Sequence, residues 1–378
     1  MIIQSKKVWI ADQFTPAQLE LEDGIIKEIY PYNEKEVTKD YGDLRILPGF
    51  IDIHCHGAYG FDTNDANPEG LRKWAKGIVD EGVTSFLATT LTQSEEVLTN
   101  AVSNVAKVVE GYEGAEILGI HFEGPYLNKA HKGAQPEEYC VKPDVEQFKK
   151  YQKAAHGLIK YITMAVENDE DFTLTKYCSQ NNVVVSIGHS NATYEQAVQA
   201  YGHGARSMTH VYNAMTPFTH RANGLVGGAL RIRNMYGEII CDGNHSTLAA
   251  LNNFFTSKGP DYSIMITDSL MCKGFPVGTK FDFGGQEVII YPDGSAHLVE
   301  AGNLAGSTLN VNKGLKILIE DALVPVNYAI NACTSNPARC LHVDDRKGTI
   351  GVGYDADLVV LDRDYEVVQT YCKGVGQK

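Results

Sequence analysis

The chain divides by the period of its apolar residues. Over residues 1–47 apolar and polar positions alternate, with turn signals such as "EDGIIKEI" (22–29), which predicts short strands. The segment "GTIGVGYDADLVVLDRDYEVVQTYCKG" (348–374) reads the same way. Between these ends, short β-rich runs alternate with amphipathic helical patterns. The runs are "IDIHCH" (51–56), "TSFLATT" (84–90), "EILGIHFEG" (116–124), "YITMAVEN" (161–168), "VVVSIGHS" (183–190), "RSMTHVYN" (206–213), "EIICDGNH" (238–245) and "YSIMITDS" (262–269). Helical segments such as "NPEGLRKWAKGIVDEG" (67–82) and "NATYEQAVQAYGHG" (191–204) separate most of them, the second opening on Asn191 as an expected cap. A hairpin-like insertion, "KFDFGGQEVIIYPDGSAHLVE" (280–300), follows the eighth run, and helical sequence then spans 308–333.

Eight strand-then-helix units predict an α/β fold, a (β/α)8 TIM barrel over 48–345. A small β-sandwich domain is expected from the two chain ends together, 1–47 plus 346–378. A doubly wound parallel sheet is the alternative, but it normally has fewer strands and gives no reason for polar residues at so many strand ends.

Those polar residues turn a fold prediction into a site. His54 and His56 lie two apart, so on a strand both imidazoles point to one side. Taken alone, the pair is either a metal site or a chance pair of polar side chains. Yet Glu123 ends the third run, His189 the fifth and Asp268 the eighth, and His210 lies in the sixth. In a barrel the C-terminal ends of all strands open on one face, where these residues converge. Four histidines with two carboxylates are donors of borderline hardness, suited to Zn²⁺, Fe²⁺, Mn²⁺ or Co²⁺ in preference to Ca²⁺ or Mg²⁺. Such an ion lowers the pKa of water to ~7 and polarises a carbonyl, which suits hydrolysis of an unactivated amide or ester. A carboxylate must then take the proton from that water and pass it to the leaving group. Asp268, alone at the eighth strand, is the candidate.

Composition narrows the partners. The 378 residues carry 33 basic and 47 acidic side chains, a formal charge of −14, which counts against nucleic acid and anionic membranes. An anionic ligand then needs a local basic cluster. The start "MIIQSKKVWIADQF" has no apolar h-region, and no apolar stretch approaches the ~18 residues of a membrane span. Eight cysteines without a C-x-x-C pair suit free thiols in a reducing compartment, so a cytoplasmic protein is expected.

"PGFIDIHCHG", "HFEGPYLN", "GHSNAT", "THVYNAM", "CDGNH" and "ITDS", taken in order, resemble the N-acetylglucosamine-6-phosphate deacetylases of the amidohydrolase superfamily. The resemblance covers essentially the whole chain; "HFEGP" followed by "H-YNAM" is its most specific part. It implies that Glu123, His189 and His210 hold a principal metal and that His54 and His56 help to hold a second, one or two divalent ions per subunit, with Zn²⁺ or Fe²⁺ foremost. Many amidohydrolases use a lysine at the fourth strand, where this chain has Glu167 and no lysine, consistent with Glu123 as the metal carboxylate. The same resemblance implies a phosphorylated N-acetyl amino sugar as substrate, deacetylated in amino-sugar catabolism, and a homodimer. Asn213 and Ala214 would lie near the sugar phosphate, His220 and Arg221 would supply charge, and His245 would contact the sugar or its phosphate. Some relatives place a histidine after the metal glutamate to polarise the acetamide carbonyl; here the aligned residue is Gln135, with His131 four residues earlier, and either can take that part. Two rivals remain at this stage: an amidohydrolase for another N-acyl or cyclic amide, which would not need the basic cluster, and a non-catalytic barrel, which predicts missing ligands.

Overall fold

The computed structural model describes residues 1–111 and 113–377. Its central sheet is eight parallel strands in chain order: β1 (Phe50–Cys55), β2 (Val83–Thr90), β3 (Glu116–Glu123), β4 (Ile159–Met164), β5 (Val184–Ile187), β6 (Ala205–Met208), β7 (Tyr236–Ile240) and β8 (Ser263–Ile266). The first and last approach each other just beyond their ends. The Asp268 N–H donates to the His54 carbonyl and the His56 N–H to the Ser269 carbonyl, each at 2.8 Å. These bonds close the sheet into the barrel that the eight runs predict.

Six of the strands are shorter than their runs, three of them next to candidate site residues. β5, β6 and β8 stop two residues before His189, His210 and Asp268, whose φ angles are +47°, +30° and +50°. A residue in that left-handed region cannot continue a strand. The backbone therefore turns out of the sheet at three of the residues the sequence marks as site candidates, a cost tolerated where the surroundings enforce it.

The helices that cover the barrel start where local chemistry allows. At Pro68–Gly77 the Asn67 side chain accepts from the Gly70 N–H, and Pro68 sits where no N–H partner is needed. That helix buries Leu71, Trp74 and Ala75, with Trp74 tilted against Phe86 of β2 at 4.8 Å between centroids. Truncating a buried tryptophan of this kind costs about 3–5 kcal/mol. The helix Tyr194–Gly202 is capped by Thr193, not by Asn191: Thr193 Oγ1 accepts from the Gln196 N–H at 3.2 Å, and Gln196 Oε1 from the Thr193 N–H at 2.9 Å. This reciprocal pair satisfies two helix-end donors at once. Asn191 instead gives its N–H to Glu167 Oε1 at 2.6 Å.

The insertion after β8 is a three-stranded antiparallel sheet, Lys280–Phe283, Gln286–Ile290 and Ala296–Leu298, with its own apolar cluster that includes Leu91, Leu270 and Val288. The helical stretch expected over 308–333 is interrupted. It runs as Val311–Lys316, continues as a π turn Ile317–Asp321, and restarts at Val326–Cys333 after Leu323 (φ +55°) and Pro325. Proline lacks the N–H that a continuing helix needs.

Both ends of the chain meet in a second, mostly antiparallel sheet. Leu358–Leu361 pairs antiparallel with Arg45–Pro48, which runs alongside Ile2–Ile10. The sheet folds over a core that includes Ile3, Val8, Leu19, Ile46, Leu358 and Val360. The Ile26 N–H to Tyr354 carbonyl and Ala356 N–H to Gly24 carbonyl bonds, both 2.8 Å, bring its far edge back. Among the described residues no helix is long and apolar enough to cross a membrane.

Candidate active site

His54 in β1 and His56 just beyond its end are both buried, and β3 ends on buried Glu123. His189, His210 and Asp268 each follow the last paired residue of β5, β6 and β8 by two positions. All six side chains converge, in two groups of three whose donor atoms lie within 4.8 Å of one another: Glu123 with His189 and His210, and His54 with His56 and Asp268.

In the first group Glu123 Oε1 lies 3.4 Å from His189 Nε2 and 3.5 Å from His210 Nε2, and the two Nε2 atoms are 3.1 Å apart. Each imidazole gives its Nδ1–H to a main-chain carbonyl, His189 to His131 at 2.8 Å and His210 to Asn213 at 3.2 Å. Both Nε2 atoms therefore present lone pairs to each other, which is repulsive unless a cation lies between them. Bonds of about 2.0–2.1 Å to a tetrahedral ion put ligand atoms roughly 3.3 Å apart, close to the observed spacings. Glu123 Oε1 is buried with no hydrogen-bond partner, as an atom reserved for an ion would be.

In the second group Asp268 Oδ1 lies 3.2 Å from His56 Nε2 and 3.5 Å from His54 Nε2. His54 Nε2 is buried and unpartnered. Glu123 faces this group too, with Oε2 3.2 Å from His56 Nε2 and Oε1 3.4 Å from His54 Nε2. It is placed to serve both groups. The donor set, spacing and orphaned atoms all fit divalent metal.

The electrostatics agree. Burial pushes the Glu123 carboxyl up, but the imidazoles of His54 and His189 outweigh it and hold the group well below the usual carboxylate range. Asp268 is likewise pushed up by burial and lowered on balance by His54 and His56. Burial pushes His56 down, and the carboxylates of Asp268 and Glu123 outweigh it, raising the metal-free group to about 10; His54 is raised to about 9 in the same way.

Five of the six, all but His54, line a cavity of about 340 Å³, together with His131, Gln135, Asn213, Ala214 and His245, Phe283 of the insertion and residues 303–306 that follow it. Gln135 is buried, and its amide donates to Glu123 Oε2 at 2.6 Å and accepts from the Thr92 N–H at 2.8 Å. His131 holds His189 through its carbonyl, while its Nε2 lies 2.9 Å from Asn191 Oδ1. Gly133 is required nearby, since its φ is +57° and a Cβ there would sit 3.3 Å from His189 Cε1. His245 is oriented by Asp242, Nδ1 to Oδ2 at 2.7 Å. Glu167 is away from the donors and ties Asn128, Ser190 and Asn191 together. His220 and Arg221 are not brought to the cavity lining; both are exposed on the loop that precedes the helix Gly224–Arg231.

Sequence reading passes over several residues beneath the site. Glu238 of β7 lies 2.8 Å from His54 Nδ1 and accepts the Tyr161 hydroxyl. His121, fully buried and held neutral by burial and by His54, donates Nδ1–H to the Ile53 carbonyl and accepts from Thr163 Oγ1 at 2.7 Å. An acidic residue inside the otherwise apolar "EII" was the available signal for Glu238.

The amidohydrolase family model matches residues 45–375. Over 348 residues the chain is 42% identical to an N-acetylglucosamine-6-phosphate deacetylase of Bacillus subtilis (strain 168), covering 91% of this chain and 87% of that one. It is 32% identical over 367 residues to an N-acetylgalactosamine-6-phosphate deacetylase of Escherichia coli O157:H7, covering 97% and 95%. Among solved structures it matches a mutant N-acetyl-D-glucosamine-6-phosphate deacetylase of Mycobacterium smegmatis in complex with N-acetyl-D-glucosamine-6-phosphate, with a TM-score of 0.95 at 26% identity, covering 100% of this chain and 99% of that one. Two groups of side chains that could hold metal at the mouth of an eight-stranded barrel accompany a family match that spans nearly all of the chain, and that match makes this protein a member of the metal-dependent amidohydrolase family.

Proposed function

We propose that the protein hydrolyses N-acetyl-D-glucosamine 6-phosphate to D-glucosamine 6-phosphate and acetate, as the resemblance of its motifs implies. The observation that carries this reading is the 42% identity to the Bacillus subtilis deacetylase, combined with a complete donor set at the barrel mouth. Glu123, His189 and His210 would hold one divalent ion, and His54 with His56, beside Asp268, would help to hold a second; Zn²⁺ or Fe²⁺ suits these donors best, with Mn²⁺ or Co²⁺ also compatible. A bound ion supplies an acidified water and withdraws charge from the acetyl carbonyl oxygen.

The remaining work belongs to side chains. Asp268, held ionised by His54 and His56, accepts the proton of the attacking water and delivers it to the amine nitrogen as the C–N bond breaks and the new C–O bond forms. Gln135 gives one N–H to Glu123 and accepts from the Thr92 N–H, so part of its work is to fix Glu123. His131 then fixes His189 through its carbonyl. Asn213, Ala214 and Asp242-oriented His245 face the sugar and its phosphate, with His220 and Arg221 adding positive charge from the exposed loop. Phe283, edge-on to His56 at 5.7 Å between centroids, shields that side from water.

The Escherichia coli relative supports a second reading, the C4-epimeric N-acetylgalactosamine 6-phosphate. We further infer a cytoplasmic homodimer; the eight unpaired cysteines, seven of them buried, suit a reducing compartment. Proton NMR of the acetyl methyl group tests the reaction: N-acetylglucosamine 6-phosphate should yield free acetate and an equal amount of glucosamine 6-phosphate. An unchanged acetyl signal with metal-loaded protein would refute the proposal.

A further inference from the structure

β7 carries an ionisable group in the barrel interior, where strands usually pack apolar side chains. Glu238 is fully buried, with Oε2 2.8 Å from His54 Nδ1 and Oε1 accepting the Tyr161 hydroxyl. Among the described residues no lysine or arginine pairs with it, and its ion-pair contact is His54. A buried carboxylate without compensating positive charge is strongly unfavourable. The compensation must come through the imidazole, from whatever His54 Nε2 binds.

The other imidazoles are backed differently. His189 and His210 direct Nδ1 to the neutral carbonyls of His131 and Asn213, and His56 Nδ1 has no partner. The group of His54, His56 and Asp268 thus has a second negative charge one imidazole away, which the group of Glu123, His189 and His210 lacks. We infer that Glu238 is a positioning residue for the ion at the first of these groups. It fixes the His54 proton on Nδ1, leaves the Nε2 lone pair facing Glu123 and Asp268, and strengthens that lone pair as a donor. Tyr161 fixes the carboxylate in turn. The inference rests on the metal-dependent reading above, and it makes one ion, and not the other, depend on Glu238.

The test strips metal from the parent, Glu238→Gln and Tyr161→Phe proteins and titrates each with Zn²⁺ at buffered free concentration, counting ions per chain by mass spectrometry. Far-UV circular dichroism monitors the fold. The parent should take up two ions. Glu238→Gln should keep the ion at Glu123, His189 and His210 with unchanged affinity and need about 10- to 100-fold more free Zn²⁺ for the second ion, at His54, His56 and Asp268, the usual scale for losing a ligand's hydrogen-bonded carboxylate. Tyr161→Phe should shift the second ion in the same direction by less, and it carries the test if Glu238→Gln does not fold. Curves that superpose on the parent, or equal weakening of both ions, would overturn the inference. A parent that binds one ion only would overturn it as well, while leaving the deacetylase reading to the acetate assay.

Discussion

Asp268→Asn isolates the proposed proton transfer. The substitution conserves shape, and asparagine is among the few residues that tolerate the φ of +50° at this position, so the backbone turn should survive. The same turn is pinned by main-chain bonds that the side chain does not make, from the Asp268 N–H to the His54 carbonyl and from the Ser307 N–H to the Asp268 carbonyl. What changes is charge and basicity. In the parent, His54 and His56 outweigh burial and keep the carboxylate ionised at neutral pH, ready to accept a proton; an amide cannot. Loss of a general acid or base costs a factor on the order of 10² to 10⁴, equivalent to about 2.7–5.4 kcal/mol of barrier. Steady-state acetate release, with metal content measured on the same samples, reads the effect. Turnover within a few-fold of the parent would refute the proton-transfer role. So would loss of turnover that follows loss of metal, which would make Asp268 chiefly a ligand.

Four further outcomes are expected. His189→Ala or His210→Ala should remove one ion with nearly all activity, whereas His54→Ala with His56→Ala should mainly lower the stoichiometry; equal metal loss from both would mean a single shared ion. In the metal-free protein His54 and His56 are raised to about 9 and 10 from an ordinary value of about 6.5. Their contribution to stability is therefore full below about pH 6.5 and lost as pH rises through 9 to 10. Metal uptake near pH 7.5 must displace those protons, so calorimetric enthalpies should depend on the buffer's ionisation enthalpy; buffer-independent values would contradict the assignment. Gln135→Leu leaves the Thr92 N–H and Glu123 Oε2 without their partners and should destabilise the metal-free protein by about 1–3 kcal/mol in urea unfolding, against no change if the amide were a substrate contact alone. Arg221→Ala should lower kcat/KM for the phosphorylated sugar by up to about 1 kcal/mol, the scale of an exposed charge pair, and leave the unphosphorylated sugar unchanged; parallel losses would remove Arg221 from phosphate binding.

The barrel and the convergence of the six candidates were legible because each strand marks its own polar end locally and the barrel brings those ends together. Strand alternation aims His54 and His56 together, and the polar end of each run marks the barrel mouth. The strand ends fall short of the runs where His189, His210 and Asp268 adopt positive φ, since glycine alone announces that conformation reliably and histidine or aspartate takes it up only on occasion. The cap at Thr193 was missed because Asn191 and Thr193 are both good caps, and a tertiary contact, Glu167 to the Asn191 N–H, decides between them. Glu238, Tyr161 and His121 sit inside apolar runs and take their parts from partners 184, 77 and 42 positions away, a separation that periodicity does not encode. The wall formed by Phe283 and residues 303–306 was hidden for the same reason: a hairpin after the last strand says nothing about which face it covers.

The central claim is that a metal-dependent amidohydrolase site here is directed at an N-acetylated hexosamine 6-phosphate. It is tested most directly by acetate release from N-acetylglucosamine 6-phosphate, N-acetylgalactosamine 6-phosphate and unphosphorylated N-acetylglucosamine, each with metal-loaded and chelator-stripped protein. The account predicts the highest kcat/KM for N-acetylglucosamine 6-phosphate, a large fall without the phosphate, and loss of turnover on stripping that Zn²⁺ or Fe²⁺ restores. Preference for the unphosphorylated sugar, or turnover that survives complete removal of metal, would contradict it.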